Sequence, residues 1–135
     1  MADYSTLLYE VTGRIARITL NRPERGNGIT FTMPRELAAA VERANLDPAV
    51  HVIVLAGNGK GFCGGYDLVA SAEGLGQGHA DELGPAPAGS PLDPAVVANN
   101  HDPHAPWDPA VDWQMMSRNV RGFMSLFHGD KPVVC

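Results

Sequence analysis

Cysteine, basic residues and long apolar runs are all scarce in this 135-residue sequence. Its two cysteines are too few for a disulfide framework, so the sequence favours a reducing, cytoplasmic location. Ten basic side chains against fifteen acidic ones give a net charge of −5, which argues against a nucleic-acid partner because phosphate binding needs clustered Lys and Arg. No apolar run approaches the roughly 18 residues of a membrane span, so we expect no membrane partner either.

Periodic apolar segments predict a single α/β domain. Alternation over 15–20, after a strand at 7–11 and a turn, predicts an antiparallel hairpin. An apolar stripe at helical spacing predicts a helix from Thr32, as its cap, to about Asn45. The apolar run 52–56 predicts a strand buried on both faces of a helix-covered sheet. Later patterns predict a short helix over 66–72, an amphipathic helix over 113–127 and a strand that begins at Lys131.

The segment 73–112 lacks this periodicity. Its 40 residues include seven prolines and five glycines, so we expect an irregular insertion, either a surface segment or a functional lid. No metal is expected at His101 and His104, because an intervening proline prevents the helix that would align them and further ligands are missing. The strand that begins at Lys131 breaks off, so we expect residues 1–135 to be the truncated N-terminal part of one domain.

Glycines are densest directly after the buried strand. A strand, a flexible turn and a helix start in succession present unpaired backbone N–H groups and the positive end of a helix dipole. These groups suit an anion, or an oxygen that becomes anionic during a reaction. The spacing Gly59-x-Gly61-x-x-Gly64, with Asp81 further on, also fits the fingerprint of a nicotinamide-dinucleotide domain. An NAD-binding oxidoreductase domain is therefore an alternative.

A longer series of motifs matches one family in order and spacing. It consists of Asn21-Arg22-Pro23-Glu24-Arg25-x-Asn27, Glu36-Leu37, Asp47-Pro48-x-Val50, Val52-Ile53-Val54-Leu55 and Gly61-Phe62-Cys63-x-Gly65-x-Asp67-Leu68. Together these motifs resemble the N-terminal half of the crotonase (enoyl-CoA hydratase/isomerase) superfamily, over 5–72 and again over 113–135. The segment 73–112 has no counterpart that we align.

The resemblance implies a crotonase-like spiral of ββα turns, usually assembled as a homotrimer or as a hexamer of two trimers. It implies an enoyl-CoA hydratase or a relative that acts on acyl-CoA or enoyl-CoA in fatty-acid metabolism, with no cofactor beyond the coenzyme A of the substrate. Two backbone N–H groups stabilise a thioester enolate in this family, and one of them corresponds to the N–H of Tyr66. The second N–H and the catalytic glutamates lie downstream of Lys131, so we expect residues 1–135 alone to be inactive.

The same resemblance assigns substrate contacts to two stretches of the chain. The nucleotide end of coenzyme A is expected at the first stretch, and the thioester carbonyl is expected at the second. The residues are Arg22, Arg25, Gly26, Asn27 and Gly28, then Gly64, Gly65, Tyr66, Asp67 and Leu68. A non-catalytic family fragment that serves in subunit packing is the alternative from a different functional class.

Four of the side chains in these motifs have a structural interpretation beside the functional one. Arg22 and Arg25 either bind phosphate through charge-assisted hydrogen bonds or are solvated loop charges. Asp67 is predicted to cap the helix that follows it. Cys63 is predicted to pack against its neighbours, because the sequence positions no histidine as a base for a thiol nucleophile.

Overall fold

The computed structural model describes residues 4–69 and 86–135, and within these residues four strands form one sheet. The predicted hairpin is confirmed, because β1 (Leu7–Thr12) and β2 (Ile15–Leu20) pair antiparallel across a two-residue turn. Gly13, the first residue of that turn, has a φ of 59°, a conformation that favours glycine. The buried side chains of β2 are those that the alternation predicts: Ala16, Ile18 and Leu20.

The next two strands extend the sheet in the parallel direction. β3 (Val52–Gly57) lies parallel to β2, and β4 (Val133–Val134) lies parallel to β3, which gives the order β1-β2-β3-β4. Because β2 and β3 are parallel neighbours, their carboxyl ends lie at the same edge of the sheet. Ile53 and Leu55 are buried, whereas the alternate positions of β3 are half-buried. The prediction that β3 is buried on both faces is therefore wrong within the described part of the chain.

Helix α1 (Met33–Leu46) connects β2 to β3 and packs against the sheet. Its buried side chains include the predicted stripe: Met33, Leu37, Ala40, Val41 and Ala44. The predicted cap is wrong, since Thr32 has helical backbone angles and makes no capping hydrogen bond with its side chain. Thr30 takes this role instead, because its hydroxyl oxygen accepts a hydrogen bond from the Met33 N–H at 3.3 Å.

The start of α1 is joined to the N-terminal segment through Glu36. Its carboxylate accepts hydrogen bonds from the backbone N–H groups of Ser5 at 2.7 Å and Thr6 at 2.8 Å, and from both hydroxyls. Burial raises the pKa of Glu36, but these four hydrogen bonds outweigh it and hold the pKa below its usual value. The ionised carboxylate therefore stabilises the fold.

The other end of α1 is capped by a lysine from far along the chain. Lys131 Nζ donates to the carbonyl oxygens of Ala44 at 2.6 Å and Asp47 at 2.5 Å. A cation at this position also opposes the negative end of the helix dipole. The contact fixes the backbone directly before β4, which begins two residues later.

Part of the segment predicted to be irregular is helical. Helix α2 (Pro94–Asn100) and the first turn of α3 (Pro109–His128) lie within it. Asp93 and Asp108 cap these helices, each accepting a hydrogen bond from the N–H two residues on at 2.9 Å, with proline in the first turn. A high proline content normally argues against helices, but here a proline lies in the first turn of each of two helices. The prediction is wrong for this part, and 73–85 lies outside the described residues.

The predicted amphipathic helix is confirmed as α3, but its apolar stripe lies on the exposed side. A methyl group on Gly122 of α3 would lie 2.5 Å from the Pro34 carbonyl oxygen of α1. This close approach of two helices selects the side of α3 that contains Gly122 for contact with α1. The exposed apolar side chains of α3 are Trp113, Met116, Val120, Met124 and Phe127. Among the described residues, no helix combines the length and the apolar character that a bilayer crossing needs.

Candidate functional site

The predicted site residues converge at one edge of the sheet. The first loop (21–28) follows β2 and the second loop (58–67) follows β3, so both leave the same edge. Asn58 joins the loops where they begin, because its N–H donates to the Leu20 carbonyl oxygen and its side-chain amide donates to Asn21 Oδ1, both at 2.9 Å. Sequence analysis missed Asn58, although asparagine directly after a buried strand is a typical loop-forming signal.

Asn27 holds both loops together from a buried position. It is fully buried and has a φ of 53°, in the left-handed region that asparagine tolerates better than most residues. Its side-chain oxygen accepts from the Arg22 N–H at 2.8 Å. Its side-chain amide donates to the carbonyl oxygens of Asn58 at 2.9 Å and Gly61 at 3.1 Å. The structure thus places this predicted substrate contact inside the protein, where it shapes the loops.

Two further hydrogen bonds close the second loop onto the first. The Gly64 N–H donates to the Gly26 carbonyl oxygen at 2.9 Å. The Cys63 thiol donates to the Asn27 carbonyl oxygen at 3.2 Å. Gly26 has a φ of 59°, which turns its carbonyl toward the second loop at a position where a β-carbon would be strained. This geometry supports the packing role predicted for Cys63.

An apolar cavity of about 200 Å³ lies between these loops, the sheet and the helices. Nine apolar side chains surround it, among them Leu20, Met33, Leu55, Cys63 and Phe123. Such a lining suits hydrocarbon groups and, among the described residues that form it, has no charged side chain that would bind a phosphate. A charged part of any ligand must therefore be bound elsewhere.

Tyr66 forms a short parallel bridge with Ile29. The Ile29 N–H donates to the Gly65 carbonyl oxygen at 2.8 Å, and the Asp67 N–H donates to the Ile29 carbonyl oxygen at 3.0 Å. Since backbone groups along an extended segment alternate in direction, the Tyr66 N–H points away from Ile29. Among the described residues, the Tyr66 N–H donates no hydrogen bond to a backbone oxygen of a turn or loop. The Tyr66 N–H is therefore a candidate donor for a ligand.

Asp67, the residue after Tyr66, is the centre of an ion-pair cluster with Arg22 and Arg25. Its carboxylate accepts from Arg22 Nη2 at 3.0 Å and from Arg25 at both Nε, 3.0 Å, and Nη2, 2.7 Å. The Asp67 side chain is only 5% exposed, against 16% for Arg22 and 39% for Arg25. Arg22 also donates to the Gly28 carbonyl oxygen. The cluster ties the first loop to the second, so neither arginine is simply a solvated loop charge.

The remaining predicted contacts lie beside this cluster. A methyl group on Gly28 would lie 2.9 Å from Asp67 Cβ, so glycine at 28 permits the two loops to approach closely. Gly65 has a φ of 102°, which only glycine adopts readily. Leu68 is exposed and begins a helical turn with Val69. The helix predicted over 66–72 therefore begins two residues later than expected, because Tyr66 and Asp67 are not helical, and 70–72 lies outside the described residues.

His101 and His104 have partners within the protein. The His101 ring contacts the Val97 carbonyl oxygen at 2.8 Å and, with its other nitrogen, the Asp112 carboxylate at 3.6 Å. The His104 N–H donates to Asp102 Oδ1 at 2.9 Å. Within 4–69 and 86–135, no group of three or more His, Cys, Asp and Glu side chains is arranged to hold a metal ion. His101 therefore joins α2 to α3.

The sequence model of the enoyl-CoA hydratase/isomerase family matches residues 10–85, more than half of the chain. The chain belongs to this family. A probable enoyl-CoA hydratase of Mycobacterium tuberculosis is 46% identical over 76 residues, which are 56% of this chain and 30% of that protein. Another from Rhizobium meliloti is 48% identical over 66 residues, which are 49% of this chain and 26% of that protein.

Solved structures of hydratases resemble this family member over nearly its whole length. The crystal structure of enoyl-CoA hydratase from Mycobacterium smegmatis has a TM-score of 0.78 and 50% identity, and it covers 98% of this chain and 41% of that chain. The crotonase-like α/β fold is therefore confirmed. The chain spans less than a third of the length of the two curated relatives above.

Family membership also corrects two expectations. The dinucleotide-binding interpretation of Gly59-x-Gly61-x-x-Gly64 is not favoured, because these glycines lie in a loop that folds onto the first loop. Asp81, the other residue of that interpretation, lies outside the described residues. The similarity to the Mycobacterium smegmatis enzyme covers 98% of the chain and therefore reaches residues 86–112. The expectation that 73–112 has no counterpart in the family is wrong for that part.

Proposed function

We propose that this protein is an enoyl-CoA hydratase, which adds water to the double bond of a 2-enoyl-CoA thioester in fatty-acid metabolism. One observation carries the proposal: the N–H of Tyr66, at the position of the family's oxyanion donor, points away from the Ile29 bridge. Identities of 46% and 48% to probable enoyl-CoA hydratases support hydration as the reaction.

Hydration needs a group that stabilises negative charge on the thioester oxygen. As the water oxygen bonds to C3 of the enoyl group, the electron pair of the double bond moves toward the carbonyl and an enolate forms, which then takes a proton at C2. In our proposal the Tyr66 N–H donates to that enolate oxygen. A fixed donor of this kind typically contributes about 3 kcal/mol of transition-state stabilisation. The second donor and the glutamate acid/base groups of the family are proposed for the part of the enzyme downstream of Lys131.

The two loops give the proposed substrate an orientation. We place the nucleotide end of coenzyme A along the first loop and the thioester along the second. Guanidinium groups bind phosphate as well as carboxylate through paired hydrogen bonds, which supports a phosphate contact for the exposed side of Arg25. The proposed contacts are Arg22, Arg25, Gly26, Gly28, Gly64, Gly65, Tyr66, Asp67 and Leu68, and the fully buried Asn27 acts through the loops that it holds together.

The family resemblance supports two of the three further parts of the proposal, and the low cysteine content supports the third, the location. The enzyme requires no cofactor beyond the coenzyme A of its substrate. It assembles as a homotrimer or as a hexamer of two trimers, and the exposed apolar stripe of α3 is a surface that subunit or domain contacts can cover. The proposed location is the cytoplasm.

The decisive experiment separates the backbone of Tyr66 from its side chain. Tyr66→Ala keeps the N–H, whereas incorporation of the α-hydroxy analogue of tyrosine converts the amide to an ester and removes only the N–H. Tyr66→Pro is the simpler genetic version. We expect Tyr66→Ala to keep its preference for crotonyl-CoA over free coenzyme A, measured by calorimetry. We expect the ester to lose this preference and to lower turnover about 10²–10³-fold.

The outcomes distinguish the donor from the reaction. Turnover of the ester variant equal to that of the wild type would contradict the assignment of Tyr66. The binding measurement tests the Tyr66 donor by itself, because it does not require the downstream acid/base groups. Mass spectrometry of the product identifies the reaction, and a 3-hydroxyacyl-CoA supports hydration. A product with a shifted double bond would indicate an isomerase instead, and free coenzyme A would indicate a hydrolase.

A further inference from the structure

We propose that the ion-pair cluster of Arg22, Asp67 and Arg25 positions the Tyr66 amide, so that Asp67 is a positioning residue for the thioester carbonyl. The hydrogen bond from this amide to a thioester carbonyl rests on the proposed function. The positioning of the amide itself rests on contacts in the structure. The cluster joins residues that are 45 and 42 positions apart in the chain.

The backbone around Tyr66 needs such an anchor. Gly64 and Gly65 directly precede it, and glycines leave the chain free to rotate. The bridge to Ile29 fixes the Gly65 carbonyl and the Asp67 N–H, at 2.8 and 3.0 Å. It does not involve the Tyr66 N–H, whose direction therefore depends on how firmly the residues on both sides are held.

The Asp67 side chain is the firmest of these attachments. Three hydrogen bonds from two guanidinium groups fix the orientation of its carboxylate, and Arg25 provides two of them in the paired geometry that arginine favours. With 5% of its side chain exposed, Asp67 cannot replace these partners by water without moving the loop. A change in the cluster must therefore reach the amide one residue away.

The test uses Asp67→Asn, which keeps the shape of the side chain and removes its charge. Glu24→Gln is the matched control, since it removes an exposed carboxylate from the same loop but outside the cluster. We expect the ¹⁵N order parameter of the Tyr66 amide to fall from about 0.85 to below about 0.6, with Leu55 unchanged. We also expect the preference for crotonyl-CoA over coenzyme A to fall about tenfold, while coenzyme A affinity stays the same.

Arg25→Gln keeps the test decisive if Asp67→Asn does not fold, because Arg25 is the more exposed partner. Its effect on the Tyr66 amide should be in the same direction, and combination with Asp67→Asn should add little. An unchanged Tyr66 order parameter in both variants would overturn the positioning role. Loss of coenzyme A affinity alone in Arg25→Gln would assign the arginine to phosphate binding instead. A wild-type protein that binds no thioester would refute the proposed function, whereas the order parameter would still decide the positioning role.

Discussion

Replacement of Asn27 by alanine tests whether one buried side chain stabilises both loops. The variant loses three hydrogen bonds, to Arg22, Asn58 and Gly61. At a net stabilisation of about 1 kcal/mol for each, their loss costs about 3 kcal/mol. Alanine at a φ of 53° adds about 1–2 kcal/mol, because an ordinary β-carbon is disfavoured in the left-handed region. We therefore expect the free energy of unfolding to fall by about 4–5 kcal/mol.

Asn27→Gly separates the two contributions. It loses the same hydrogen bonds but adopts the left-handed conformation without strain, so we expect a loss of about 3–4 kcal/mol, which includes its greater backbone entropy when unfolded. Urea unfolding followed by tryptophan fluorescence gives the free energies by linear extrapolation. A variant with alanine that is more stable than the one with glycine would refute the conformational part of the reasoning. A loss below about 1 kcal/mol in both would refute the hydrogen-bond part.

Three further predictions concern helix packing, pH and the cysteine. Gly122→Ala should lower the free energy of unfolding by about 1–3 kcal/mol, because its methyl group would meet the Pro34 carbonyl oxygen at 2.5 Å, whereas the control Gly61→Ala adds a methyl group in open space. The stability advantage of the wild type over Glu36→Gln should be complete above the usual glutamate pKa of 4.5 and disappear as the pH falls through the lowered pKa, as measured by urea titrations between about pH 6 and pH 3. Cys63→Ala should keep turnover within about tenfold of the wild type, because the thiol packs and donates to a carbonyl oxygen.

Each of these predictions has a clear contrary result. Equal stability of Gly122→Ala and Gly61→Ala would show that α1 and α3 separate without cost. A pH-independent difference between the wild type and Glu36→Gln would mean that the hydrogen bonds do not depend on the ionised carboxylate. A folded Cys63→Ala variant without turnover would contradict the packing role and indicate that the thiol is a nucleophile.

Elements that depend on local patterns were predictable from the sequence. The hairpin follows from alternation over 15–20, and α1 follows from an apolar stripe at helical spacing. The glycine-rich stretch after β3 also indicated the loop that contains the proposed oxyanion donor. The error over 94–100 was local too: composition counted the prolines but ignored that Asp93 precedes one of them as a helix cap.

Features that depend on distant residues were not predictable in the same way. The exposed side of α3 is decided by the contact of Gly122 with α1, which no pattern within α3 contains. Asp67 was predicted to cap a helix that lies largely outside the described residues, whereas its arginine partners, more than 40 positions earlier, were not predicted. A carboxylate can satisfy either role equally well by its chemistry, so only the three-dimensional arrangement of the loops shows which cations it meets.

The lysine that caps α1 arrives late during protein synthesis. Lys131 lies 87 positions after Ala44 and 84 after Asp47, whose carbonyl oxygens it binds. At translation rates of about 5–20 residues per second, those 84 residues take roughly 4 to 17 seconds. Helices form and fray within about a microsecond, so α1 opens and closes at its end many times before its cap exists. Slow translation between residues 47 and 131 therefore prolongs the time for which this helix end is exposed to chaperones and proteases.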